Sequence, residues 1–119
     1  MFFFVIISFI TVSVNAQLAN SKWKGTFNFD NPVDVVFNFG KDTLEVLNAG
    51  DNSSIETMKY SVEDSVLTIQ KLFGQSECSN DPAKYSFAIS GNDMRLKLMS
   101  DGCNDRTKAI DNLKLTLAQ

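Results

Sequence analysis

A two-residue rhythm of apolar and polar side chains recurs from Lys22 to Leu117, broken by turn-forming residues, and it constrains this chain more than any other feature. Trp23, Gly25, Phe27 and Phe29 alternate with Lys22, Lys24, Thr26 and Asn28. Asp30-Asn31-Pro32 ends that run, because Asn and Asp favour turns and Pro donates no ladder hydrogen bond. Val33, Val35, Phe37 and Phe39 share the next face, and a third strand is expected from about Asp42 to Asn48. The fourth, Ile55 to Val62, sets Met58, Tyr60 and Val62 on one side and Thr57, Lys59 and Ser61 on the other; the fifth runs from Ser65 to Leu72. Lys84 to Ser90 forms the sixth, with Tyr85, Phe87 and Ile89 together, and the hairpin pair Gly91-Asn92 leads into the seventh, Asp93 through Met99. An eighth is expected near Asn112 to Leu117, and Asp105 to Ile110 fits a short helical turn.

Eight short strands with local connections describe an all-β, antiparallel up-and-down meander, and closure into an eight-stranded barrel removes its exposed edges. The connections at Gly40-Lys41, Glu63-Asp64 and Gly91-Asn92 are tight, whereas those around Asp30, Gly50, Phe73 to Pro82 and Ser100 to Arg106 are long. In a meander these two sets fall at opposite ends, so the expected shape is a cup with one sealed end and one mouth. Cys78 and Cys103 both belong to long connections, so a disulfide between them is expected to pin the rim of that mouth.

The N-terminus is expected to be cleaved off on export and to take no part in the fold. Met1 to Ile10 is almost wholly apolar, and Val14-Asn15-Ala16 presents small residues where a signal peptidase reads, giving a signal peptide over residues 1–16 and a domain over 17–119. The apolar stretch is shorter than the roughly 20 residues a spanning helix needs. Secretion, or export to a periplasm, and no membrane association after cleavage are the resulting expectations, in keeping with a cysteine pair in an oxidising compartment.

At this point the chain resembles the small exported lipocalin-like, calycin-type β-barrel domains. The resemblance is carried by Leu18 through Phe27 (LANSKWKGTF), with Trp23 beside Gly25 on the first strand. Val66-Leu67-Thr68-Ile69, Met94-Arg95-Leu96-Lys97-Leu98 and Asp101-Gly102-Cys103-Asn104-Asp105-Arg106 are similar to later parts of that group. It implies a barrel that binds a small hydrophobic ligand. The basic residue that packs on the tryptophan in that family corresponds by position to Lys114, and Arg106 falls at the mouth.

The aromatic residues at inward strand positions are open to two readings: they fill the core, or they line a cavity for a small apolar molecule. On the second reading the ligand-binding residues are Phe27, Phe29, Phe37, Tyr60, Tyr85, Phe87 and Arg106, the tyrosines serving as polar handles. Trp23, near the tight-turn end, is expected to act as a plug. The alternative function is a protein-binding module such as a secreted protease inhibitor, working through loops or the arm Gln17 to Ser21.

Enzyme chemistry is not expected. The chain has no histidine, so the commonest general base and metal ligand are missing. No Gly-x-Ser-x-Gly elbow is present, and the two cysteines suit a bridge better than a thiolate. No cofactor or metal site is expected; Asp101, Asn104 and Asp105 lack the spacing of a calcium loop and suit a turn. With a net charge of −3 and Lys and Arg scattered singly, nucleic acid is a poor partner. Asn52-Ser53-Ser54 is an N-glycosylation pattern in a loop, relevant in a eukaryotic source.

Overall fold

A computed structural model describes residues 18–118; the expected signal peptide, Met1 to Ala16, lies outside the described residues. These residues form β1 (Ser21–Phe27), β2 (Val33–Phe39), β3 (Thr43–Asn48), β4 (Ser54–Glu63), β5 (Val66–Gly74), β6 (Ala83–Ser90), β7 (Asp93–Ser100), the helix α1 (Asn104–Ile110) and β8 (Lys114–Leu117). Each strand pairs antiparallel with the next, and β8 pairs with β1 through Trp23↔Leu117 and Lys24↔Thr116. The product is a closed eight-stranded up-and-down barrel, an architecture compatible with a calycin-like fold.

Alternation turns into burial along each strand. Val35, Phe37 and Phe39 of β2, Met58, Tyr60 and Val62 of β4, and Tyr85 and Phe87 of β6 are buried in one core with Leu96 and Leu115. A column of aromatic rings threads the interior. Phe29 meets Phe27 at 5.7 Å, Phe27 meets Phe37 at 6.1 Å, Phe37 meets Phe39 at 6.3 Å, and Phe39 meets Tyr60 edge-on at 5.1 Å. Such tilted and edge-on pairs suit the ring quadrupole better than face-to-face stacks.

The tight-turn end is sealed. The Tyr60 hydroxyl donates to the Gly40 carbonyl at 2.6 Å. Leu18 and Trp23 are buried there, and the Trp23 indole N–H donates to Ser21 Oγ at 2.9 Å. The Ser21 hydroxyl in turn donates to the Leu18 carbonyl. Between β4 and β5 the turn is Asp64-Ser65, one residue later than Glu63-Asp64, because both residues take positive φ (52° and 64°) as a twisted two-residue hairpin requires.

Three boundaries differ from the sequence expectation by two residues, each for a local reason. β5 runs on to Gly74, because a bulge at Leu72, between the pairs Met58↔Lys71 and Thr57↔Phe73, lets the ladder continue. β8 begins at Lys114 rather than Asn112. Asn112 takes φ 62° and the Leu113 N–H turns back to the Ile110 carbonyl. Phe29 lies beyond the end of β1 and is 41% exposed, where the period alone would have it inside.

The remaining end carries the long connections. Cys78 in the β5–β6 loop is bonded to Cys103, which caps the start of α1, with the two Cα atoms 5.4 Å apart. The bridge therefore ties the loop to the helix across the rim, and a disulfide of this kind is more typical of extracellular proteins.

Candidate functional site

A cavity of about 500 Å³ opens at this long-loop end. Phe27 and Phe29 form one side with Val33 and Val46, and Met58 lies deeper on β4 beside Ile55 and Glu56. Asn48 and Ser53 beside the β3–β4 connection, Gln75, Ser76 and Cys78 from the β5–β6 loop, and Asp105, Arg106, Ala109 and Ile110 from α1 complete the wall. Arg106, Ala109 and Ile110, spaced three and four apart, are the buried face of the helix, so the helix closes one side of the mouth with a mixed polar and apolar stripe.

Two charged side chains of this wall are more than nine-tenths buried: Glu56, 7% exposed, and Arg106, 9% exposed. Glu56 owes its position to two local devices. Alternation along β4 places Glu56 on the inward face with Met58, Tyr60 and Val62, and the regular register stops just beyond it, at the bulge at Ile55 between the pairs Val46↔Glu56 and Leu47↔Ser54. Opposite it stands Gly74, where a Cβ would lie 2.7 Å from the Glu56 carboxylate; only a glycine leaves that space. The Ser76 hydroxyl donates to Glu56 Oε1 at 2.7 Å, and Lys71 Nζ lies 3.7 Å from the same oxygen.

Arg106 is held by Asp101. Its Nε and Nη2 donate to the two carboxylate oxygens at 2.8 and 2.9 Å, a bidentate fork. The Tyr85 hydroxyl donates to the same carboxylate at 2.5 Å, and the Cys103 backbone N–H at 2.9 Å. Burial alone would raise the Asp101 carboxyl, but the hydrogen bonds from Arg106, Tyr85 and Cys103 outweigh it and hold the group below the usual carboxylate range. The Tyr85 phenol is pushed far up by burial and by its anionic partner. The Asp101 fork raises the Arg106 guanidinium further still, so this network keeps its charges throughout the physiological range.

Each of the two wall residues retains one unmatched atom. Glu56 Oε2 and Arg106 Nη1 are buried and have no hydrogen-bond partner among the described residues. A buried donor or acceptor left in this state costs about 1–3 kcal/mol, more when charged.

Of the residues expected at a ligand site, Phe27, Phe29 and Arg106 come together on the cavity wall. Phe37 and Tyr60 lie outside the lining and belong to the aromatic column toward the sealed end. Tyr85 and Phe87 also lie outside it, and Tyr85 reaches the site only through Asp101. Both tyrosine hydroxyls are engaged by the protein itself. Glu56, Met58 and Ser76 were not anticipated. Glu56 was legible in principle, since it keeps step with Met58, Tyr60 and Val62, but a charged residue near a strand end reads as solvent-facing. Asp101 and Asp105 do not act as a pair, because Asp101 is consumed by Arg106 and Tyr85. Among the described residues no cluster of three His, Cys, Asp or Glu side chains is placed to hold a metal ion.

Comparison with known proteins finds no match to any family model, curated protein or solved structure, so the barrel and its mouth stand on their own geometry.

Proposed function

We propose that this protein is an exported, non-enzymatic binding protein of lipocalin-like type that takes a small, largely apolar molecule into the mouth of its barrel. The observation that carries this reading is the cavity of about 500 Å³ between the strand ends and α1, walled by Phe27, Phe29, Val46, Met58 and Ile110. Its size and mainly apolar surface, with polar side chains set among the apolar ones, are those of small-molecule sites. Aromatic rings fill the sealed half of the barrel, which leaves the open half for a ligand.

Titration of the oxidised protein with N-phenyl-1-naphthylamine, a neutral apolar fluorophore, tests the reading. Saturable enhancement at one site, together with a co-purifying small molecule in native mass spectra, is the expected result. Absence of uptake and of bound mass would remove it. Trp23 is a poor reporter for this purpose, because it sits at the sealed end and does not line the cavity. A second reading, a protein-binding module, draws on Leu72 and Phe73 of β5, which are 54% and 64% exposed side by side. It predicts a complex with a partner protein and no uptake of the fluorophore.

A further inference from the structure

Lysine and arginine stand singly along the chain, but the barrel gathers six of them on one half of its wall. β6, β7, β8 and β1 are neighbours round the barrel. Alternation leaves Lys84 of β6, Arg95 and Lys97 of β7, Lys114 of β8 and Lys22 and Lys24 of β1 outward and exposed. Asp93 is the one acid at the outward positions of these four strands. The outward positions of β2 to β5 reverse the balance, with Lys59 against Asp34, Glu45 and Glu63. A chain of net charge −3 thus carries a basic face.

That face is not neutralised from within. Its ion pair among the described residues joins Lys114 to Asp93 at 3.8 Å, with both side chains half-exposed. Arg95 stands directly opposite Lys114 in the β7–β8 ladder, and like charges so placed disfavour a sheet. Arg95 and Lys97 turn to Asn112, a neutral residue. Beside them a groove of about 620 Å³ opens between β1 and the α1–β8 corner, lined by Lys24, Lys108 and Lys114 together with Thr26, Asn112 and Thr116. The two acids of the groove are engaged: Asp34 accepts from the Thr26 hydroxyl at 2.8 Å and Asp111 from the Leu98 N–H at 2.9 Å. None of the six cations lines the mouth, so this surface is separate from the apolar cavity.

We propose that this face binds an acidic polysaccharide, a chain bearing one carboxylate per sugar, and that the groove holds one of its rings. Neighbouring strands lie about 4.8 Å apart and alternate residues about 7 Å apart, so the cations are spaced for charges borne one per sugar unit. Duplex nucleic acid, with one charge per about 1.7 Å of axis, is several times denser. The outward residues of the four strands also include no aromatic ring on which a base could stack. A bilayer is flat, whereas these cations spread over four of the eight strands of a closed wall, so a plane does not reach Lys84 and Lys22 together. A flexible chain follows the curve, and the hydroxyl and amide groups of Thr26, Asn112 and Thr116 suit its sugar hydroxyls.

Isothermal titration of the full oxidised chain with polygalacturonate, neutral dextran, duplex DNA and phosphatidylglycerol vesicles, at low salt and at physiological ionic strength, tests the assignment. Polygalacturonate should bind saturably and most tightly, more weakly as salt rises, and dextran should not bind. The triple variant Lys22→Gln, Lys24→Gln, Lys84→Gln, altered at exposed side chains on both flanks of the face, should weaken polygalacturonate by at least about tenfold. Lys59→Gln, on the opposite half, should change nothing. No binding of polygalacturonate at low salt, equal binding of dextran, or a folded triple variant that binds as the parent does would each overturn the proposal. Tighter binding of DNA or of the vesicles would assign the face to that partner instead and overturn it equally. The order of the four ligands on the unaltered chain decides the matter even if the triple variant does not fold.

Discussion

Asp101 is the residue on which the rim turns. Its side chain is fully buried and receives four hydrogen bonds: two from Arg106, one from Tyr85 and one from the Cys103 backbone. Replacing it by Asn keeps the shape and removes the charge, leaving the Arg106 guanidinium buried without a counter-ion. Breaking a buried pair in this way costs about 3–5 kcal/mol, so Asp101→Asn should lower the urea midpoint without changing the slope of the transition. The pH dependence follows from the same contacts. The folded-state pKa of Asp101 lies below the ordinary value of 3.8, so the native state holds the carboxylate more tightly ionised than the unfolded chain does. The stability it contributes is complete above that ordinary value and is lost as pH falls through the depressed one. Urea midpoints measured across the acid range should show that loss, and Asp101→Asn should lack this part of it. At the other end, the Tyr60 hydroxyl is the partner of the Gly40 carbonyl. Tyr60→Phe should cost about 1–2 kcal/mol by thermal or urea denaturation, and, because Tyr60 does not line the cavity, should leave probe uptake unchanged. The sequence shows that two tyrosines point inward; it does not show whose oxygen meets each hydroxyl, since Gly40 and Asp101 lie 20 and 16 residues away.

Elements in this barrel are positioned by glycines and bulges as much as by alternation. Gly25 faces inward between Trp23 and Phe27, and a Cβ there would come within 2.6 Å of Leu115 Cδ2 and 3.1 Å of the Lys114 carbonyl oxygen. The close approach of β8 to β1, which closes the barrel, depends on that missing methyl. Gly25→Ala should therefore destabilise the protein by about 1–3 kcal/mol through overpacking. Amide hydrogen exchange in β8 should rise first, and exchange no faster there than in the parent would speak against this account. The strand count, the sealed and open ends and the shared location of the two cysteines all follow from period and turn chemistry, which are local properties. The bulges at Ile55 and Leu72 do not: each depends on what the neighbouring strand offers, and the one at Leu72 sets Gly74 opposite Glu56. Arg106 was visible as a mouth residue from its connection alone, whereas Glu56 needed the register of β4 against β5.

For the molecule as a whole, the disulfide joins stability to the shape of the mouth. With the cysteines 25 positions apart in sequence, the bridge stabilises the fold by about 3.5 kcal/mol in the chain-entropy model. A domain of ordinary stability, about 5–15 kcal/mol, can lose that much and remain folded. The barrel ladder does not pass through either cysteine, so the doubly substituted Cys78→Ser, Cys103→Ser protein should keep its far-ultraviolet circular dichroism. The mouth should fare worse than the barrel. Its wall on one side is the loop residues Gln75, Ser76 and Cys78, and on the other Asp105, Arg106, Ala109 and Ile110 of α1, the two segments the bridge ties together. Released from each other, they hold Ser76 against Glu56 and Arg106 against Asp101 less firmly, and the cavity becomes less well formed before a ligand enters. Uptake of N-phenyl-1-naphthylamine should then weaken by about tenfold under conditions where the barrel is still fully folded, an ordering cost of about 1.4 kcal/mol paid at binding. Unchanged affinity in the folded variant would mean that the strand ends alone shape the cavity and that the bridge serves the barrel only.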